Sequence, residues 1–321
     1  MITYLRHTLI DKNLWDDCIS RSLNRRVYAF SWYLDLVSPG WDALVTDNYL
    51  SVFPLTCHRK WGISYLAQPF FTQQLGVFSP EAISESQVEG FLRAIPGRFM
   101  FVEIQLNSMN RFSGGSGESV IRANFECDLA FSFEELAGRY AQNTRRNIRK
   151  AQESGICLVQ TTGVDELISL FRENFGRKEG KLREGHYATL SRLITYCLEN
   201  KTGHILGVQT KDGVLTAGAF FLFDASRVYF MFAASAPGAR ENGAMFMLID
   251  RFIAGHAGRN LLLDFEGGND PNLGRFYRSF GAIEVPYQAV QINRLPKVVE
   301  SGLYFMRKLR KQRKLAIFVR G

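Results

Sequence analysis

The chain has 321 residues, 46% hydrophobic and 13% aromatic, which is enough to bury a large core and to form two domains of ordinary size, and which excludes a disordered chain. Its longest uncharged apolar run, VLTAGAFFLF at 214–223, falls well below the roughly eighteen residues that span a bilayer, and the opening MITYLRHTLIDKNLWDD mixes charges into the stretch that a secretory leader keeps apolar. A cytoplasmic protein is expected, and the formal charge of +8, concentrated in RYAQNTRRNIRK (139–150) and RKLRKQRKLAIFVRG (307–321), points to an anionic partner.

In chain order, a helical pattern near 11–22 is followed by two strands in WDALVTDNYLSVFPLTC, joined by a tight turn at Asp47 and Asn48. Strand-like runs continue through QPFFTQQLGVFS, where Gln68, Gln73 and Gln74 either line a groove between domains or pair with backbone. A helix from about Ser84 to Ala94, the strand RFMFVEIQL and the loop SGGSG (113–117) complete the first half. SFEE then reads as a capping box, Ser132 at the N-cap and Glu135 at N3, with the basic helix behind it. Helices over 163–176 and 185–200 precede a hairpin turning at KDG, the strand RVYFMFAAS, the loop APGARENG, a helix to about Gly258, and a last strand and helix in LLLDFEGGNDPNLGRFYRSFGA. Both halves run helices, hairpin, strand, helix, strand, so one α/β unit is expected twice, as domains 1–130 and 131–295, with a basic helical tail over 296–321.

Strands 227–235 and 260–266 are separated by about two dozen mostly helical residues, the length of a parallel crossover. Their carboxyl ends, Ser235 and Glu266, are expected side by side on one rim, each running into a helix N-terminus, in a crevice that favours anions and developing negative charge. Alternation in LLLDFEGG puts Leu262, Asp264 and Glu266 on one face, so that two carboxylates about 7 Å apart are suited to holding an ammonium group or taking its proton. Equally, they can pair with Arg275, Arg278 or a helix end. Asp270 as N-cap, Pro271 at N1 and Gly281 past the end define the last helix; Tyr277 shares its apolar face with Leu273, Phe276 and Phe280, as a core aromatic or as an acid reaching outward. In SAPGARENGA, Gly238 and Gly243 permit close backbone approach and Arg240 offers a guanidinium to phosphate.

The five cysteines, Cys18, Cys57, Cys127, Cys157 and Cys197, are odd in number and widely spaced, and are expected to be reduced core thiols. Neither they nor the histidines show ligand spacing, so no metal is expected.

Two stretches carry a resemblance. NTRRNIRKAQESGI (143–156) is similar to the basic helix and following glycine of the FemAB-like branch of the GNAT acyltransferase superfamily, and LDFEGGNDPNLGRFYRSFGA (263–282) is similar to its D-F-x-G strand end and F-K-x-x-F-G helix. The resemblance covers about 130–295 and implies an α/β (α+β) fold of two tandem GNAT-like domains, each a mixed, mostly antiparallel sheet flanked by helices with one parallel strand pair. Two positions depart from the pattern. Tyr277 stands where the family usually has lysine, and Arg240, Gly243 and Met245 satisfy only the first half of the phosphate-loop motif Q/R-x-x-G-x-G/A.

The resemblance further implies an N-acyltransferase that moves an acyl or aminoacyl group from a thioester or ester donor to an amine. Acyl-CoA is the first expected donor, as a co-substrate with no tightly bound cofactor, and aminoacyl-tRNA the second. Glu266 or Asp264 is expected to take the amine proton, and Tyr277 to protonate the leaving group. Backbone amides of Phe232, Ala233 and Ala234, with Ser235 beyond them, would steady the oxyanion and line the donor. Arg240, Gly243 and Ala244 would hold phosphate, while Asn242, Asn269 and Arg275 orient polar donor groups. Arg145, Arg146, Arg149 and Lys150 would meet tRNA phosphates. The basic amphipathic pattern at 303–320 suits an anionic surface at the inner membrane face, and a third reading is a non-catalytic peripheral binding protein that uses it.

Overall fold

The structure, a computed structural model, describes residues 1–159, 163–173 and 182–296; the basic stretch at 303–320 lies outside the described residues. The chain opens with β1 (Thr3–Leu5) and α1 (Lys12–Arg21), whose first turn is capped by Asp11 Oδ1 accepting from the Asn13 and Leu14 amides. After α2 (Ser31–Val37), strands β2 (Asp42–Val45) and β3 (Val52–Leu55) pair antiparallel across the expected turn, where Asn48 and Tyr49 take left-handed backbone. Strands β4 (Cys57–Lys60) and β5 (Ile63–Leu66), helix α3 (Glu85–Ala94, with a capping box at Ser84) and β6 (Phe99–Gln105) follow, then β7 (Glu118–Arg122) and β8 (Phe125–Asp128).

Ser132 caps α4 (Phe133–Gly138) as expected, but the chain breaks before the basic helix α5 (Gln142–Glu153). Then come β9 (Cys157–Val159), α6 (Val164–Phe171), α7 (Glu184–Glu199), β10 (Gly203–Gln209), β11 (Leu215–Asp224) and β12 (Arg227–Ser235). A short α8 (Ala239–Asn242) leads into α9 (Ala244–His256), and β13 (Leu262–Asp264), α10 (Pro271–Arg278), β14 (Ile283–Glu284) and β15 (Tyr287–Asn293) close the described chain.

These strands form a three-stranded sheet β1-β2-β3, a five-stranded sheet β4-β5-β6-β15-β7 and a seven-stranded sheet β14-β8-β13-β12-β11-β10-β9. Pairing is antiparallel apart from β5 with β6 and β12 with β13, one parallel pair in each half, as the fold class requires. Two strands cross between the halves. β8 sits in the second sheet between β13 and β14, while β15 returns to the first sheet between β6 and β7.

The apolar run that forms β11 is covered on both faces, which is why it reads without alternation. Phe221 stacks flat on Phe252 of α9, with ring centroids 3.7 Å apart. On the opposite face Phe220 and Leu222 join a core that takes Leu190 and Leu193 from α7 and also Trp15, Tyr28, Tyr33 and Leu34 from the first half. The two halves therefore share one hydrophobic core. Of the five cysteines, Cys18, Cys127 and Cys197 are buried, but Cys57 is only half-buried and Cys157 is exposed, so the expectation of core thiols holds for three positions.

Because β8 and β15 are exchanged, fragments 1–130 and 131–296 expressed apart should each lack a cooperative unfolding transition in urea. A sharp transition from either fragment alone would contradict the shared core.

Candidate functional site

The parallel ladder between β12 and β13 is short: Arg227 pairs with Leu262, Val228 with Leu263 and Tyr229 with Asp264. There β13 ends, while β12 runs on to Ser235 with no strand partner on that side among the described residues. The two ends point the same way, but Ser235 and Glu266 are not side by side: about four residues of strand, roughly 13 Å, separate the level of Glu266 from Ser235. Within this stretch the pairing of β12 with β11 slips, Phe220 meeting Phe232 and Phe221 meeting Phe230, so Met231 is a bulge. A bulge re-aims the strand where it leaves its neighbour. The result is a stretch of β12 beyond the end of β13 whose edge on that side has no strand partner among the described residues, with Glu266 at its near end.

Alternation breaks at the end of β13. Asp264 is fully buried, and its Oδ1 accepts from Asn124 Nδ2 at 2.9 Å and from the Glu266 amide at 3.0 Å, while its Oδ2 accepts from Arg227 Nη1 at 2.8 Å. Arg227 also binds Glu126, at 2.7 Å, so one buried cation serves two carboxylates. These bonds turn the backbone. Glu266 takes φ +52°, a conformation that costs a non-glycine residue about 1 kcal/mol, and the next amide, of Gly267, donates to Asn124 Oδ1 at 3.2 Å. Gly268, at φ +145°, lies so close under Phe125 that a Cβ there would be 2.4 Å from the ring. Asp264 and Glu266 thus have different environments: the first is a buried ion-pair partner, the second points into the seam between the halves.

Burial pushes the Glu266 carboxyl up to about 8, far above an ordinary carboxylate. Its neighbour there is Tyr28 of the first half, whose hydroxyl donates to Glu266 Oε1. The segment around Tyr28 is fastened to the second half twice more, by the Arg25 Nε bonds to Asp224 at 2.8 and 2.9 Å and by the Val27 amide donating to Tyr229 Oη at 3.1 Å. Tyr28 lies 238 positions from Glu266 and no local pattern marks it.

Tyr277 is buried, its ring stacked on Phe265 with centroids 4.6 Å apart and edge-on to Phe230. Burial first and the Glu266 charge second raise its hydroxyl, so it stays protonated at any physiological pH. Leu273, placed on the same apolar face by its spacing, is instead half exposed. Phe232 and Ala234 are buried and Ala233 and Ser235 partly exposed along β12, with Phe232 against Phe171 of α6, 4.6 Å between centroids.

Beyond β12, Arg240 lies in α8, and Asn242 Oδ1 accepts from the Ala244 amide at 3.0 Å, capping the start of α9. Gly243 is left-handed at φ +70°, and a Cβ on it would come 2.4 Å from the Asn147 carbonyl. Its freedom therefore seats the loop against the basic helix α5. On α5, Arg145, Arg146, Arg149 and Lys150 are exposed and, among the described residues, meet no carboxylate within ion-pair distance. Asn269 Oδ1 accepts from the Ala123 amide at 3.0 Å, and Arg275 lines a groove of about 410 Å³ with Gly268, Arg278, Pro271 and Phe125. Gln68 and Gln74 bond to backbone at Thr72, Gln105 and Ser108, whereas Gln73 donates to Asn124 at 3.1 Å and so reaches the network under Glu266.

Residues 138–276, which contain β12, β13 and Glu266, match the GNAT acetyltransferase domain family. No curated protein matches the chain by sequence. Among solved structures, FemX superposes with a TM-score of 0.61 at 12% identity, covering 89% of this chain and 96% of its own. The C-terminal DUF2156 domain of an Agrobacterium fabrum protein assigned as a lysylphosphatidylglycerol synthetase gives 0.53 at 12% identity, over 92% of this chain and 95% of that one. A conserved protein of unknown function from Bacteroides thetaiotaomicron gives 0.53 at 12%, over 90% and 99%. With its diverging parallel pair inside the matched segment and that segment inside a fold shared with FemX over 89% of this chain, the chain carries a GNAT acetyltransferase domain over residues 138–276 within a FemX-like fold.

Proposed function

We propose that the protein transfers an acyl or aminoacyl group from a thioester or ester donor to an amine, with Glu266 as the general base. The observation that carries this reading is the pairing of a raised carboxyl with an open strand edge: Glu266, pushed up to about 8, stands where β13 stops and β12 runs on paired with β11 alone. The amine nitrogen attacks the carbonyl carbon and forms the C–N bond. Its proton passes to Glu266, and the C–S or C–O bond breaks with its electrons leaving on the carrier. A base of this strength is matched to an amine, because proton transfer is efficient when acceptor and operating pH lie close. Tyr277, held protonated, is the group that returns a proton to the leaving atom. Asp264 is spent on Asn124, Arg227 and the Glu266 amide, and we assign it positioning.

For the donor, the stretch of roughly 13 Å along β12 between Glu266 and Ser235 fits a carrier with a long thin arm, reacting at one end and anchored at the other near the start of α9. Acyl-CoA is the leading donor on this ground. Aminoacyl-tRNA is a second reading, favoured by the unpaired cations of α5, which pack beside the same loop through Asn147 and Gly243.

Glu266→Gln should lower kcat by about 10²- to 10⁴-fold and abolish an acid limb in the pH profile of kcat/KM centred near 8. Wild-type turnover in this variant removes Glu266 from the chemistry. Stability supplies an independent check on the same group. Glu266 holds its proton more tightly folded than unfolded, so its contribution is full below its unfolded value, about 4.3, and is lost as pH rises through about 8. Glu266→Gln should therefore raise Tm at pH 9 and change it little at pH about 4. Replacing Arg146 and Lys150 by glutamine should raise the donor KM with kcat unchanged, and for tRNA should flatten the dependence of log affinity on log salt by about one for each phosphate no longer neutralised. A donor KM unaltered at low salt would detach α5 from donor binding.

A further inference from the structure

We propose that Tyr28, contributed by the first half of the chain, is a positioning residue that fixes the Glu266 carboxylate and favours its ionised form through a hydrogen bond across the seam. This deepens the proposed transfer function and rests on it where turnover is concerned.

The geometry leaves Tyr28 little freedom. The residue is fully buried, with its ring edge-on to Tyr33 at 5.6 Å and tilted against Tyr229 at 5.1 Å. Its neighbour Val27 donates to the Tyr229 hydroxyl, and Arg25 is clamped on Asp224, so the segment cannot withdraw without breaking those bonds. On the other side, the Glu266 backbone is held left-handed by Asp264 and Asn124. A donor with a locked ring therefore meets a carboxyl with a locked backbone. A buried carboxylate is costly to ionise, and a fixed donor offsets that cost because it bonds the charged form more strongly than the neutral one.

The groups that face Glu266 agree with this role. Tyr277 of α10 and Tyr287 of β15 are close enough for the Glu266 charge to raise both of them, and Asp264 of β13 already holds Arg227 of β12 and Asn124 ahead of β8. Arg227, a buried cation of this network, is shared by Asp264 and Glu126, and the buried Arg26 of the first half faces the same two carboxylates. Among the described residues no ion pair reaches Glu266 itself. Tyr28 is thus the side-chain donor aimed at it. The first half contributes directly to the chemistry of the second, and opening the seam would leave Glu266 without its donor.

The test is a titration of the Glu266 carboxyl in full-length protein carrying ¹³C-labelled glutamate, with Glu266→Gln identifying the signal. Tyr28→Phe keeps the ring and removes the donor. The expected result is a midpoint moved up from about 8 by roughly one pH unit, with the acid limb of the acyl-transfer pH profile moved by the same amount. An unmoved carboxyl midpoint overturns the proposal. Should the variant fail to fold, the wild-type protein carrying ¹³Cζ-tyrosine gives the same answer: the Tyr28 signal must titrate with the Glu266 midpoint between pH about 6 and about 9, and a flat signal overturns it. Failure of the transfer reading is distinguishable, because then the carboxyl midpoint still moves while no transfer activity exists to follow it.

Discussion

Asp264 is the residue on which the arrangement depends. Fully buried at the end of a strand, it accepts from Asn124, from Arg227 and from the amide of Glu266, and the last of these bonds bends the chain out of the β conformation. Had β13 continued, both carboxylates would share a face and an environment. Instead one is neutralised by a buried guanidinium and the other is carried into a poorly solvated seam where its proton is held more tightly. Two carboxyls two positions apart acquire different environments because one has a cation and the other has a hydroxyl.

The seam exists because the halves are not independent bodies. β8 and β15 each belong by sequence to one half and by hydrogen bonding to the other, and one core runs from Trp15 and Tyr33 to Leu190 and Tyr229. Such an interface is as closely packed as a domain interior. A carboxyl placed in it feels a low dielectric, and a tyrosine placed in it has a fixed hydroxyl. The shared core thus supplies both the raised affinity of Glu266 for its proton and the rigidity of its partner.

Much of this was legible in the sequence where the cause is local. The helix start near Ser84, the capping box at Ser132, the cap at Asp270 with Pro271 behind it, the turn at Asp47 and Asn48 and the parallel crossover from β12 to β13 all follow from short patterns. The position of Glu266 at a strand end was legible for the same reason. Its separation from Asp264 was not, because alternation assumes that the strand goes on, and only the tertiary bonds of Asp264 stop it. The expected level of Ser235 failed similarly: counting residues places strand ends but cannot show that one strand outruns its neighbour or carries a bulge at Met231. Tyr28 and the exchanged β15 had no signal at all, since both depend on contacts between distant parts of the chain.

Gly243 is seated on the Asn147 carbonyl, which holds the loop after β12 against α5, the helix that carries the exposed cations. In the proposed reaction this would join a cationic surface to Glu266 by a strand edge of roughly the length of a carrier arm. The most direct test is a crystal structure of the protein with a bisubstrate analogue in which an amine is covalently joined to an acyl-CoA. The amine nitrogen is expected within about 3 Å of the Glu266 carboxyl, directly or through one water, and the carrier arm along β12 toward Ser235. An analogue bound with its nitrogen remote from Glu266, or seated in the groove lined by Arg275 and Arg278, would contradict it.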